Sequence, residues 1–152
     1  MSTLRVDNLR GQTADGTNRY VVQVVNGRVS DDRATTTSTS FVQLGDTLSI
    51  TPSFSTSKIY LLATINAELT DAHTAYLDFG RDSTQNLSGV SGGISTFYQS
   101  SWCTNSIALL DTPNTTSSVS YFISAKVSGG TLKFNDNSAN NFTNFTLMEI
   151  AQ

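Results

Sequence analysis

Charge, proline, cysteine and histidine are all scarce in this chain, and each scarcity excludes something. Of 152 residues only 14% are charged, two are proline, one is cysteine and one is histidine. The lone Cys103 rules out an internal disulfide framework and every multi-cysteine zinc pattern. The lone His73 is the one base a Ser/His/Asp triad would have to recruit, and no G-x-S-x-G sequence surrounds any serine. Nine basic residues against twelve acidic ones give a net charge of −3, which is not the electrostatic footprint of a nucleic-acid binder. No run approaches the roughly 18 consecutive apolar residues of a membrane span. Nor does an apolar run of about 7 to 15 residues follow the first charge, as in a secretory signal. The expectation is a protein made without a signal peptide that neither enters a membrane nor binds nucleic acid.

Hydroxyl groups take the place of charge, with 22 Thr and 21 Ser along the chain. Ser and Thr compete with helical hydrogen bonding, and Thr and Val are stiff at the branch carbon, so this composition favours strands. A chain of this length is the size of one domain and needs no metal or disulfide to complete a core.

From Thr35 onward apolar residues alternate, separated by turn chemistry. Phe41, Leu44, Leu48 and Ile50 come first, interrupted at Gly45-Asp46 and stopped by Pro52. In Lys58 to Leu69, the residues Ile59, Leu61, Ala63, Ile65, Ala67 and Leu69 share one face at period two. The segment Thr74 to Arg81, with Ala75, Leu77 and Phe79 inward and Tyr76 and Asp78 outward, is expected to pair with it through a hairpin at Thr70 to His73. Asp82 to Gly93 has no periodicity and reads as an exposed loop. Further strands are expected at Ile94 to Trp102, Ile107 to Leu110, Ser118 to Val127, Leu132 to Phe134 and Phe142 to Ala151. Eight or nine short strands without a helix predict an all-β, antiparallel two-sheet sandwich of jelly-roll type over residues 35–152. An immunoglobulin-like sandwich is the alternative, though its Cys, Trp, Cys spacing is absent.

Several strands are apolar on both faces. Tyr60 and Leu62 oppose the inward set of their strand, Phe122 lies between Tyr121 and Ile123, and Phe145 and Leu147 oppose Met148 and Ile150. A sandwich needs one apolar face per strand, so Tyr60, Leu62, Phe122, Phe145 and Leu147 are the expected subunit interface of an oligomer. Residues 1–34 read as an extended N-terminal arm. Its apolar pegs are Leu4, Val6 and Leu9, followed by a strand bearing Tyr20, Val22 and Val24 and a hairpin turn at Asn26-Gly27.

Catalytic chemistry has little to work with. His73 falls in a turn, and Cys103 beside Trp102 reads as a small buried hydrophobe. Asn135-Asp136-Asn137 lacks the Gly and closing Glu of a calcium loop. The segment GVSGG at Gly89 to Gly93 lacks the lysine and helix of a phosphate loop. Glu68, Asp71, Asp78 and Asp82 offer carboxylate pairs for glycoside hydrolysis only by accident of number, so a glycan hydrolase is the remote alternative. No enzyme, metal or cofactor is expected. A binding surface is the stronger alternative, with Tyr98 and Trp102 near the loop Asp82 to Gly93 as aromatic contacts for a sugar.

The opening STLRVDNLRG resembles the leader of many fibre-like structural proteins of tailed bacteriophages, notably marine and cyanobacterial ones. The segments TSFVQLGDTLSITPSFSTSKIYL (Thr39 to Leu61), FGRDSTQNL (Phe79 to Leu87), ALLDTPNTTSSVSYFISAKVSGGTLKFND (Ala108 to Asp136) and FTLMEIAQ (Phe145 to Gln152) follow the same pattern in order. The resemblance implies a non-enzymatic homotrimer on the virion surface, anchored to another capsid or tail protein through its N-terminal arm. It would serve as a capsid decoration protein or a short tail fibre, or else as the tip of a fibre that binds a host receptor or surface glycan.

Overall fold

The computed structural model describes residues 19–29, 34–98, 100–135 and 143–152. Among the described residues there are ten strands and no helix. These are β1 (Val21–Val29), β2 (Ala34–Thr36), β3 (Val42–Ile50), β4 (Lys58–Leu69), β5 (Ala75–Arg81), β6 (Ser95–Phe97), β7 (Trp102–Asp111), β8 (Val119–Val127), β9 (Leu132–Phe134) and β10 (Thr143–Ile150). They form two antiparallel sheets packed as a β-sandwich around one apolar core.

β4 organises the larger sheet because it is the longest strand and alternates most regularly. Ile59, Leu61, Ala63, Ile65, Ala67 and Leu69 are all fully buried, while Leu62 and Thr64 are exposed. β7 runs along one edge of β4 from Ile59 to Glu68. β10 and β9 overlap β7 in register, so both lie on the other edge, β10 at Lys58–Thr64 and β9 at Ala67–Leu69. β1 then pairs with β10 and β2 with β9. The smaller sheet has the order β3-β8-β5-β6. Across the core the rings of Phe79 (β5) and Phe145 (β10) stack with centroids 5.5 Å apart, joining the two sheets.

Three expectations are corrected by this pairing. β4 and β5 do not form a hairpin: β4 pairs with β7, β9 and β10 and β5 with β6 and β8, so Thr70 to His73 carries the chain from one sheet to the other. Each strand's inward apolar face is satisfied by the opposite sheet, and a short link between strands does not by itself make them neighbours. Asn26-Gly27 makes no turn. Both residues lie inside β1, opposite Thr146 and Phe145, and the Asn26 side chain donates to Asn144 Oδ1 and Thr146 Oγ1 at 2.8 and 2.7 Å. The expected strand Ile94 to Trp102 divides into β6 and the start of β7, which belong to different sheets.

Candidate functional site

The outer face of the smaller sheet is built from the polar positions of β5 and β8. Tyr76 lies opposite Lys126 on one side and Thr96 on the other, and Phe41 enters β3 one residue before Val42, the partner of Ala125. Register therefore makes a row of Phe41, Lys126, Tyr76 and Thr96 across the sheet. The Lys126 ammonium is held over two aromatic faces, 4.9 Å from the Phe41 ring centroid and 5.0 Å from that of Tyr76. Above the row stands an open hollow of about 400 Å³ lined by Thr39, Tyr76, Ser91, Gly92, Lys126, Val127 and Ser128.

One wall of this hollow comes from the segment expected to be a free loop. It leaves β5 at Arg81, pairs back at Thr84, and rejoins the edge of β5 where Leu87 N donates to Phe79 O and Ile94 N to Leu77 O. Leu87 and Ile94 pack against the core. Gly93 lets the loop close this tightly, since it has φ +68° and a side chain there would run into the carbonyl of Leu77. Deeper in the same face, Ser88 donates to Asp78 through its backbone N–H at 3.3 Å and through its hydroxyl. Asp78 is thereby fully buried although it points away from the core. Next along, the ring of Phe122 covers its cross-strand partner Gly80 so closely that any side chain at position 80 would have to displace the ring.

Burial pushes the Asp78 carboxyl above its ordinary value of 3.8, against the pull of its bonds from Ser88 and Phe79 N–H. A raised folded value means that the fold favours the protonated form, so stability falls as pH rises through the window above 3.8. Asp78→Asn is therefore expected to melt a few degrees higher than the parent at neutral pH, with the gap closing toward about pH 3 in calorimetric scans. An unchanged gap across that range would show that the carboxyl titrates normally.

The outer face of the larger sheet has a different character. Its register places Val24, Met148, Tyr60 and Leu110 in one row spanning four strands, with Asn26, Thr146, Leu62 and Ala108 in the next. Val24 is 56% exposed, Leu110 48% and Leu62 37%. Further along the same strands the face turns polar, through Thr64, Asn66, Thr104 and Ser106.

These two faces sort the expected site residues. Tyr60 and Leu62 stand on the outer face of the larger sheet. Phe145 and Leu147 do not: they lie opposite Ala63 and Leu61, face the core and are fully buried. Phe122 does point outward, but it is 1% exposed within a single chain because Gly80 leaves room for its ring. These three are therefore withdrawn as interface residues, and the exposed apolar positions are Val24 and Leu110 instead. Of the arm residues, Leu4, Val6 and Leu9 lie outside the described residues. Tyr20 accepts a hydrogen bond from Ala151 N–H at 3.0 Å, Val22 sits at a bulge in β1, and Val24 faces outward. Residues 20–29 are thus part of the sandwich, and the boundary expected at residue 34 falls within its larger sheet. Tyr98 is 66% exposed after β6, whereas Trp102 begins β7 in the other sheet opposite Glu68. Neither lines the hollow, whose aromatic wall is Tyr76.

Charged groups missed in the strand pattern hold the sandwich together. Arg81 donates to both oxygens of Asp111 at 2.9 and 2.8 Å, and the Tyr121 hydroxyl donates to Asp111 Oδ2 at 2.7 Å. Glu149 accepts from Ser53 N, Ser57 Oγ and Gln23 Nε2, each at 2.7 Å. All three charged residues continue the inward parity of their strands, after Phe79, Leu109 and Leu147. That break in an apolar series was the available signal.

No protein-family model matches the chain, and no curated protein matches it.

Proposed function

We propose that this protein is a non-enzymatic structural component of a bacteriophage virion. It forms a homotrimer on the particle surface, as a capsid decoration protein or a short tail fibre, with its N-terminal segment seated on another virion protein. The observation that carries the proposal is the apolar row Val24, Met148, Tyr60 and Leu110 on a sheet whose other face already packs the core. A face of that kind is suited to self-association. The ordered likeness of the sequence to phage fibre-like proteins supplies the setting. The wrap of the chain supports a jelly-roll reading of the sandwich. When β1–β2 and β9–β10 are each counted as one interrupted strand, every connection except β5–β6 crosses between the sheets.

The N-terminal arm fits the same reading. β1 is an edge strand, so the chain preceding it is delivered at the border of the apolar face, where three copies would raise the effective concentration of three anchors. Because residues 20–29 belong to the sheet, the anchor is tested by deleting residues 2–18 alone. The truncated protein is expected to fold and to remain trimeric by light scattering, yet to be missing from purified particles. Tyr60→Lys with Leu110→Lys is expected to give a folded monomer. A wild-type monomer, or particles that still take up the truncated chain, would overturn the proposal.

A further inference from the structure

We infer that the hollow beside Lys126 binds a carboxylated saccharide. The site lies on the smaller sheet, away from the apolar face assigned to assembly, and stands without it. Its central group is a cation: among the described residues no carboxylate lies within ion-pair distance of the Lys126 ammonium, which rests instead between the rings of Phe41 and Tyr76. Two π-faces position an ammonium without neutralising it, so the charge stays available to an incoming anion. Strand register sets the row, and Gly93 sets the opposing wall, so little ordering remains to be done on binding.

The rest of the lining specifies what carries the anion. Thr39, Ser91 and Ser128 bring hydroxyls to the rim, the polar atoms that exchange hydrogen bonds with sugar hydroxyls, and Tyr76 adds an aromatic edge. The space of about 400 Å³ is within the range of small-ligand sites and is open on one side, so it admits a unit of a longer chain as well as a chain end. A purely apolar ligand would leave Lys126 and the hydroxyls of Thr39 and Ser91 without a partner from the ligand, while Ser128 Oγ already accepts from Thr74 N–H at 2.9 Å and keeps its own proton to donate. A bare inorganic anion would leave the hydroxyl rim unused.

Titration of the full-length protein with trigalacturonate and with its methyl ester, followed by amide chemical shifts and calorimetry, tests this. The two ligands share every ring hydroxyl and differ in charge. The acid is expected to bind with shifts centred on Tyr76, Ser91, Gly92 and Lys126, and the ester at least about tenfold more weakly. Lys126→Met, which keeps the aliphatic stem, is expected to lose binding of the acid by at least about tenfold, while Lys126→Arg retains it. Equal binding of acid and ester overturns the inference, as does no binding of the acid at roughly 10 mM or unaltered binding by Lys126→Met. The comparison of acid with ester uses the unaltered protein, so it decides the matter even where a variant fails to fold.

Discussion

Asp111→Ala is expected to lower the stability of the folded chain by about 3 kcal/mol, the low end of the range for breaking a buried ion pair. Asp111 stands at the end of β7 on the inward side, with its side chain 10% exposed, and receives bonds from Arg81 of β5 and Tyr121 of β8. One carboxylate thus ties a strand of the larger sheet to two of the smaller. Removing it leaves a guanidinium and a phenol facing each other with no acceptor. Arg81, whose side chain is 29% exposed, can recover part of its hydration, which keeps the loss toward the low end. Burial, then the bond to Asp111, push the Tyr121 hydroxyl well above its ordinary value of 10.0, so it stays a donor throughout the accessible pH range. Urea unfolding at neutral pH measures the loss. The paired replacement Arg81→Met with Asp111→Leu is expected to cost less than Asp111→Ala alone, because it leaves no charge behind. A double variant less stable than the single one would show that the pair contributes more than it costs to bury.

Glu149→Ala is expected to be about as severe, with a loss of about 3 kcal/mol and a fall in Tm of roughly 10 °C. Glu149 is fully buried on β10, where the neighbouring inward residue is Leu147. Its carboxylate gathers the backbone N–H of Ser53, the hydroxyl of the buried Ser57 and the amide of Gln23, so it joins the β3–β4 connection and β1 to β10. Burial alone would raise its titration, but the bonds from Ser57, Gln23, Ser53 and Phe54 outweigh it and hold the group below its ordinary value of 4.5. A lowered folded value means that the carboxylate stabilises the fold at neutral pH and that this contribution is lost as pH falls below 4.5. Glu149→Gln keeps the shape and part of the bonding. It should cost less than alanine and flatten the acid limb of the stability profile, the opposite of the behaviour expected at Asp78. An acid limb identical to the parent's would place the titration elsewhere.

β1 is the border strand of the apolar face. Its residues were legible as a strand in YVVQVV, but the Asn26-Gly27 pair that signals a hairpin turn in isolation is paired straight across to Thr146 and Phe145. A turn signal is a local preference of about a kilocalorie or less, and a ladder against an already ordered β10 outweighs it. The loop at Asp82 to Gly93 shows the same hierarchy. Its Ser, Gly and Asn content marks irregular backbone correctly, yet Ser88 has a buried carboxylate to bond and Leu87 an edge of the core to fill.

The sequence by itself determined that this chain is all-β, where most strands lie, and which face meets the core in the strands whose alternation is clean. Those are consequences of period-two alternation and need only residues two apart. The inward set Ile59 to Leu69 and the inward side chains of β8 follow from that rule alone. Only the tertiary structure decided which strands are neighbours and which second faces stay open. Phe122, Phe145 and Leu147 read as an interface because each lies on a strand apolar on both sides. Phe145 and Leu147 proved to be the core-facing half of their strand, and Phe122 is sealed against Gly80. Strand partners are separated by up to 129 positions, as between Val21 and Ile150, and no local period encodes a register over that distance. The row of Phe41, Lys126 and Tyr76 exists only because two such registers agree.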